Sequence, residues 1–173
     1  MSNCALTSGY SLDCKDSSGG IVEVYFIEKA NVSSIATASG VVTGITKAAT
    51  KRFWKYELPK ETGSFSSNPQ PSQENGTLFF EQTLTIVVNK LTTAVNTELK
   101  LLAQNVLIAV VKDNNGIFWM LGKDRGIDMG ASTSGSGTAY GDRSGYQLEF
   151  MGKEPDGLIE VNSSVAAALE TAG

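Results

Sequence analysis

The 173-residue sequence contains no histidine, only two cysteines and four prolines, and just 18% of its residues are charged. Without histidine there is no His-assisted serine or cysteine nucleophile and no His-ligated zinc, copper or haem. Two cysteines cannot close a four-cysteine zinc site. Chemistry by carboxylates, lysine or tyrosine stays open, but most common enzyme designs are excluded, and no cofactor is expected. No apolar run approaches about 18 residues, so no membrane span is expected. The opening Met1-Ser2-Asn3-Cys4-Ala5-Leu6 lacks a basic stretch followed by an apolar one, and so reads as no signal peptide. In the cytoplasm this implies, Cys4 and Cys14 are thiols more often than a bridge, with a disulfide closing a short N-terminal loop as the alternative.

Positive charge is also scarce. The 14 Lys and Arg face 18 Asp and Glu, a formal net charge of -4, which argues against a broad basic face for nucleic acid. The total hides a polarity. Lys47, Lys51, Arg52, Lys55 and Lys60 against Glu57 give residues 47–60 a net +4, whereas eight acids and three bases from Asp124 onward give -5. One reading is two solvated surfaces. The other is a subunit whose basic end meets the acidic end of a neighbour. Asp124-Arg125 and Asp142-Arg143 each set an acid beside a base, the pattern of a surface turn or subunit contact rather than an active site.

What is present is mostly strand signal. Ile21-Val-Glu-Val-Tyr-Phe-Ile27 is β-branched and aromatic and reads as a buried strand, and Val41 to Thr46 is a weaker candidate. In residues 53–58, alternation sets Trp54, Tyr56 and Leu58 on one face, with Phe53, Lys55 and Glu57 on the other. From Leu78 to Val88 the even positions are apolar except Gln82, and Glu81, Thr83 and Thr85 form a wet face. Pro69, Pro71 and Asn75-Gly76 between these strands predict a long hairpin over 52–89 whose polar tip, 59–77, projects as a loop. The period then changes: Leu91, Val95, Leu99 and Leu102 predict a three-turn amphipathic helix from Thr92 or Thr93, stopping at Asn105. Asn115-Gly116 between the apolar runs 106–111 and 117–121 predicts a tight hairpin rather than a calcium loop. Residues 130–137 read as a flexible Gly/Ser loop, too irregular for a phosphate fingerprint, and 145–151 as the last strand. Trp54, Tyr56, Phe118 and Trp119 are expected in the core rather than on a ligand platform.

The fold class expected is mainly β: an antiparallel β-sandwich or barrel with one packed α-helix near 92–104 and a long protruding hairpin. The organisation expected is an N-terminal arm (1–20), a β-sandwich domain (21–152) and a C-terminal arm (153–173).

Several segments together resemble a known group: Cys4-Ala-Leu-Thr-Ser-Gly-Tyr-Ser-Leu-Asp-Cys14, Gly19-Gly20-Ile21, Tyr56-Glu57-Leu58, Glu74-Asn-Gly-Thr77, Phe80-Glu-Gln82, Glu98-Leu-Lys-Leu-Leu-Ala-Gln104, Lys112-Asp-Asn-Asn-Gly116 and Gly141-Asp-Arg-Ser-Gly-Tyr146. The ensemble resembles virion structural proteins of tailed phages of gut Bacteroidota, crAss-like phages included, such as tail-tube and portal-to-tail ring proteins. The resemblance spans most of the chain. It implies a non-catalytic, tail-tube-like subunit in a six- or twelve-fold ring around the DNA channel of a virion, stacked on neighbouring portal or tail proteins. DNA would pass transiently and without specificity. In such a ring Glu57, Glu81, Thr83 and Thr85 would face the lumen, and Lys51, Arg52, Lys55, Lys60, Asp124, Arg125, Asp142 and Arg143 would make contacts between subunits or rings. A head-tail joining protein, a secretion-tube subunit, a surface binding module reading with loops 59–77 and 128–141, and a small carboxylate or lysine enzyme are the competing functions.

Overall fold

The computed structural model describes residues 4–173. Of the expected arm, Met1 to Asn3 lie outside the described residues. From Cys4 to Gly19 the chain is exposed and carries no helix or strand, and no disulfide joins Cys4 to Cys14.

The body is two sheets and one main helix, the expected class. A seven-stranded sheet runs in the order β2 (Val32–Ala38), β3 (Val41–Lys47), β11 (Ile159–Val161), β8 (Phe118–Leu121), β7 (Leu107–Asp113), β1 (Ile21–Glu28), β4 (Trp54–Glu57). A four-stranded sheet runs β5 (Ser64–Ser72), β6 (Thr77–Asn89), β10 (Gly145–Glu154), β9 (Asp128–Gly135). All strand pairs are antiparallel except β11 with β3.

The larger sheet is rolled. Only Lys29–Asn31, a 3-10 turn, joins β1 to β2, although these strands stand sixth and first in the order. Four backbone steps reach about 14 Å, whereas five strand spacings in a flat sheet come to about 24 Å. The sheet must therefore curl until β2 and β3 approach β1 across its concave side. Tyr25, Ile27, Val42, Ile108, Val110, Met120 and Val161 fill that concavity. The convex face packs Val24, Phe26, Ala109 and Val111 against Leu84, Ile86, Leu148 and Phe150 of the smaller sheet and Leu102 of the helix. Strand β7 is dry on both sides because both cores meet on it.

The helix α1 (Thr93–Gln104) starts where the Thr92 hydroxyl accepts from the Val95 N–H at 3.2 Å and stops at Asn105, as its stripe requires. The 113–116 hairpin is also as expected. Asp113 Oδ1 accepts from the N–H groups of Asn115 (2.8 Å) and Ile117 (2.9 Å), and Oδ2 accepts from Trp119 Nε1 (3.2 Å).

Several expectations are corrected. Residues 53–58 do not pair with 78–88. Strand β4 pairs with β1 in the larger sheet, and the hairpin partner of β6 is β5, drawn from the segment expected as a loop. Pro69 and Pro71 fit there because β5 is an edge, and prolines two apart place both missing N–H groups on one side, away from β6. Only the end of the hairpin projects, since β10 follows β6 as far as Phe80. Most of the expected Gly/Ser loop is β9, held in place by six residues of β10 paired with it. Residues 32–38, unassigned in sequence, form β2.

Residues 153–173 are no peripheral arm. Strand β11 sits in the middle of the larger sheet, and α2 (Ser163–Ala167) buries Ala166, with Leu169 buried just beyond it. Lys47 Nζ donates to the carbonyls of Ala168 (2.9 Å), Leu169 (3.2 Å) and Thr171, tying the end of the chain to β3. Burial there lowers the Lys47 pKa. Phe53 N–H bonds the Leu169 carbonyl at 3.0 Å and closes the rolled sheet.

Candidate functional site

The expected lumen-facing residues fall in two places. Glu81, Thr83 and Thr85 stand together on the outer face of the smaller sheet, because their even-numbered neighbours Leu84 and Ile86 point into the core. Register extends that face sideways. Asn68, Ser66 and Ser64 of β5 sit opposite Glu81, Thr83 and Thr85 on one flank, and Lys153, Met151 and Glu149 of β10 sit opposite them on the other. Asp128 of β9 lies beside Met151. The result is a hydroxyl-rich wall with three carboxylates (Glu81, Glu149, Asp128) and one ammonium (Lys153), whose Nζ lies 5.5 Å from the Phe79 ring centre.

Glu57 is not part of that wall. It lies on β4, in the other sheet, 3.2 Å from Lys55 Nζ. Lys55 also contacts Glu23 at 3.1 Å, with Lys112 Nζ 3.9 Å from the same carboxylate and the Tyr25 hydroxyl donating to it at 2.8 Å. Burial pushes the Glu23 pKa up, but the bonds from Tyr25 and Lys55 and the Lys112 charge outweigh it and hold the carboxyl below its ordinary value. Burial and the neighbouring Glu23 push the Tyr25 phenol to about 12. The Glu23 and Glu57 bonds raise Lys55, so its charge belongs to an internal network.

The expected contact residues also divide. Lys51, Arg52 and Lys60 are exposed, with the Arg52 guanidinium 4.3 Å from the Trp54 ring centre. Asp124-Arg125 and Asp142-Arg143 lie beyond opposite ends of β10. The first turn is tied to Glu154 at the strand's end, and the second precedes Gly145 at its start. The Asp124-Arg125 turn shares an end of the molecule with Lys51 and Arg52, since Trp54 pairs with Phe26, Glu28 with Leu107 and Leu107 with Ile127. Basic stretch and first acidic turn are therefore not opposite poles. Asp142 serves its own turn, accepting from the N–H groups of Thr138 (2.9 Å) and Ala139 (2.8 Å), which hold it below the usual carboxylate range.

Two features escaped sequence reasoning. Glu154 is a buried carboxylate that accepts from the backbone N–H groups of Asp124 (3.0 Å), Arg125 (2.8 Å) and Gly126 (3.1 Å), while Gln82 Oε1 accepts from Gly122 (2.9 Å). Gly126 has φ +83°, and a Cβ there would meet Val106 at 2.3 Å, so only glycine fits the clamped turn. No signal in the sequence singles out Glu154 among the acids.

The second is a cleft of about 580 Å³ between β4, the last residues of β1 and the C-terminal half of α1. Trp54 shares its face with Tyr56 but lies past the cover of the smaller sheet. It is 55% exposed rather than in the core, whereas Tyr56, Phe118 and Trp119 pack against the two cores as expected. Leu101 stands opposite, 47% exposed. Burial and the Glu98 carboxylate push the Tyr56 phenol to about 12.

Among the described residues no group of three or more Cys, Asp or Glu could hold a metal ion, and no helix is long and apolar enough to cross a membrane. No family model, curated protein or solved structure matches the chain.

Proposed function

We propose that this chain is a non-catalytic structural subunit of a phage tail or neck, which assembles with copies of itself into a ring around the DNA channel. The ring stacks in the virion between portal, tail or other ring proteins, and the outer face of the four-stranded sheet borders the lumen. The observation that carries the reading is the wall built on Glu81, Thr83 and Thr85: a four-stranded face rich in hydroxyls, with Phe79 and Met151 among them and with more carboxylates than ammonium groups. DNA binds proteins mainly through phosphates neutralised by Lys and Arg, so a wall with one ammonium lets a duplex slide past. Glu57, on the other sheet, is left out of the lumen-facing set.

The test is negative-stain microscopy with analytical ultracentrifugation of the purified chain, alone at high concentration and mixed with other virion proteins. Closed rings of one copy number are expected. A chain that stays monomeric under all of these conditions overturns the reading.

A further inference from the structure

We propose that the N-terminal arm of one copy adds as a strand to the open edge of β4 in a second copy, with its apolar side chains seated in the cleft beside Trp54. The inference rests on the reading that the chain assembles with copies of itself, and it names the contact.

Residues 6–13 of the arm have a strand's pattern but belong to no sheet. Leu6, Ser8, Tyr10 and Leu12 alternate with Thr7, Gly9, Ser11 and Asp13, a period of two with one apolar face. Leu6 is 98% exposed, Tyr10 89% and Leu12 62%. Three large apolar side chains on one face of an exposed segment mark a surface that is covered on binding.

Among the described residues there are four sheet edges, and they are not equivalent. Strand β5 is blocked by Pro69 and Pro71, and the exposed residues of β2 and β9 are Ser, Thr, Ala and Gly beside Asp128. Strand β4 pairs only with β1, and its other edge adjoins the cleft. Trp54, Lys55 and Tyr56 line the cleft together with Ile27 and Glu28 of β1, which continue past the Trp54 end of β4 without a β4 partner, so the cleft lies at that end of the open edge. A strand laid there gains main-chain hydrogen bonds from β4 and a pocket for every second side chain. Asp13 and Asp16 of the arm, which outnumber Lys15 between them, then lie near Lys51 of the cleft lining and the adjoining Arg52, a net complementary pairing of charge.

Placement favours a second copy as the occupant. The arm leaves the body at the 113–116 turn, where Ser18 N–H donates to Asn115 Oδ1 (2.8 Å) and Asn115 Nδ2 to the Ser18 carbonyl (3.1 Å). That turn adjoins Ile21 at the start of β1, whereas the cleft is lined by Phe26, Ile27 and Glu28 at its end. Six strand residues separate them, about 20 Å, a span the same copy's arm can cover, yet its Leu6 and Tyr10 stay almost fully exposed and line no part of that cleft. An arm rooted at one end and a cleft open at the other make a head-to-tail contact, which closes into rings or runs on as a filament.

The test uses the full chain with Tyr10 replaced by photoreactive benzoylphenylalanine, as an equimolar mixture of ordinary and nitrogen-15-labelled protein. Irradiation is expected to link position 10 to peptides of β4 or the C-terminal half of α1, with mixed isotopes marking links between copies. In parallel, Leu6→Asp/Leu12→Asp and Trp54→Ala are each expected to weaken self-association at least tenfold with unchanged thermal unfolding. Oligomers that form undiminished, with position 10 linked elsewhere, overturn this contact and leave the ring standing. Links to the cleft of the same chain overturn it in favour of a folded-back arm. A chain that neither associates nor cross-links between copies overturns both.

Discussion

The buried carboxylate of Glu154 holds the backbone N–H of Arg125 at 2.8 Å, and with Asp124 and Gly126 it gathers three consecutive amides of one turn. The loss of this anion leaves the Asp124 and Arg125 N–H groups without their carboxylate partner, while Gly126 keeps a 3.1 Å bond to the Gly122 carbonyl. Glu154→Ala is expected to cost about 3 kcal/mol, a fall in Tm of roughly 6–12 °C for a chain of this size. Glu154→Gln, which keeps one acceptor oxygen, is expected to cost less. Differential scanning calorimetry checks both, and an alanine variant within about 2 °C of the parent would contradict the clamp.

The C-terminal segment offers a sharper contrast. Leu169 is buried under the rolled sheet and its carbonyl receives Phe53 N–H. Leu169→Ala is expected to cost about 2–5 kcal/mol by leaving a cavity. A peripheral arm would tolerate it with no measurable change in urea unfolding. Removing residues 159–173 takes out the strand between β3 and β8 and is expected to abolish cooperative unfolding.

The Glu23 network fixes two pH limbs. The folded Glu23 carboxyl titrates below its ordinary 4.5, so its contribution is present above about pH 4.5 and lost as pH falls below it. Glu23→Gln is expected to flatten that acid limb in urea titrations between pH 3 and 7. Tyr25 is raised from 10 to about 12, so the stability it gives is intact below pH 10 and lost as pH rises toward 12. Absorbance at 295 nm is expected to show a late phenolate step near pH 12, with a smaller amplitude in Tyr25→Phe and again in Tyr56→Phe.

Pro69 and Pro71 guard the β5 edge. Pro69→Thr/Pro71→Thr restores donors along a strand already paired on its other side and is expected to raise aggregation at equal folded stability. Light scattering on heating checks it, and an unchanged aggregation rate would contradict the guarding role.

These relationships differ in how far they could be read beforehand. Strand β1, helix α1 and the Asn115-Gly116 hairpin were legible because their signals are local: a dense apolar run, a 3.6 period with a Thr cap, a turn dipeptide. The wet face of β6 was legible for the same reason, since parity alone sets Glu81, Thr83 and Thr85 apart from Leu84 and Ile86. Strands β5 and β9 were not. Proline and Gly/Ser runs read as breaks unless one knows that the strand lies at an edge beside a long partner. Three residues of β11 carry too little pattern to announce a central strand, although Ile159-x-Val161, then Asn162 capping α2, held the clue. The cleft was hidden because Trp54 has the parity of a core residue, and its exposure depends on where α1 and the smaller sheet end. The Glu154 clamp depends wholly on contacts distant in sequence.

The central claim is that copies of this chain form a ring whose lumen is walled by the Glu81-Thr83-Thr85 face. The most direct measurement is electron microscopy of Thr83→Cys in a Cys4→Ser/Cys14→Ser background, labelled with maleimide nanogold. Closed rings with gold inside the inner circumference are expected. Gold on the outer perimeter, or no rings from a chain that remains folded, would contradict the account.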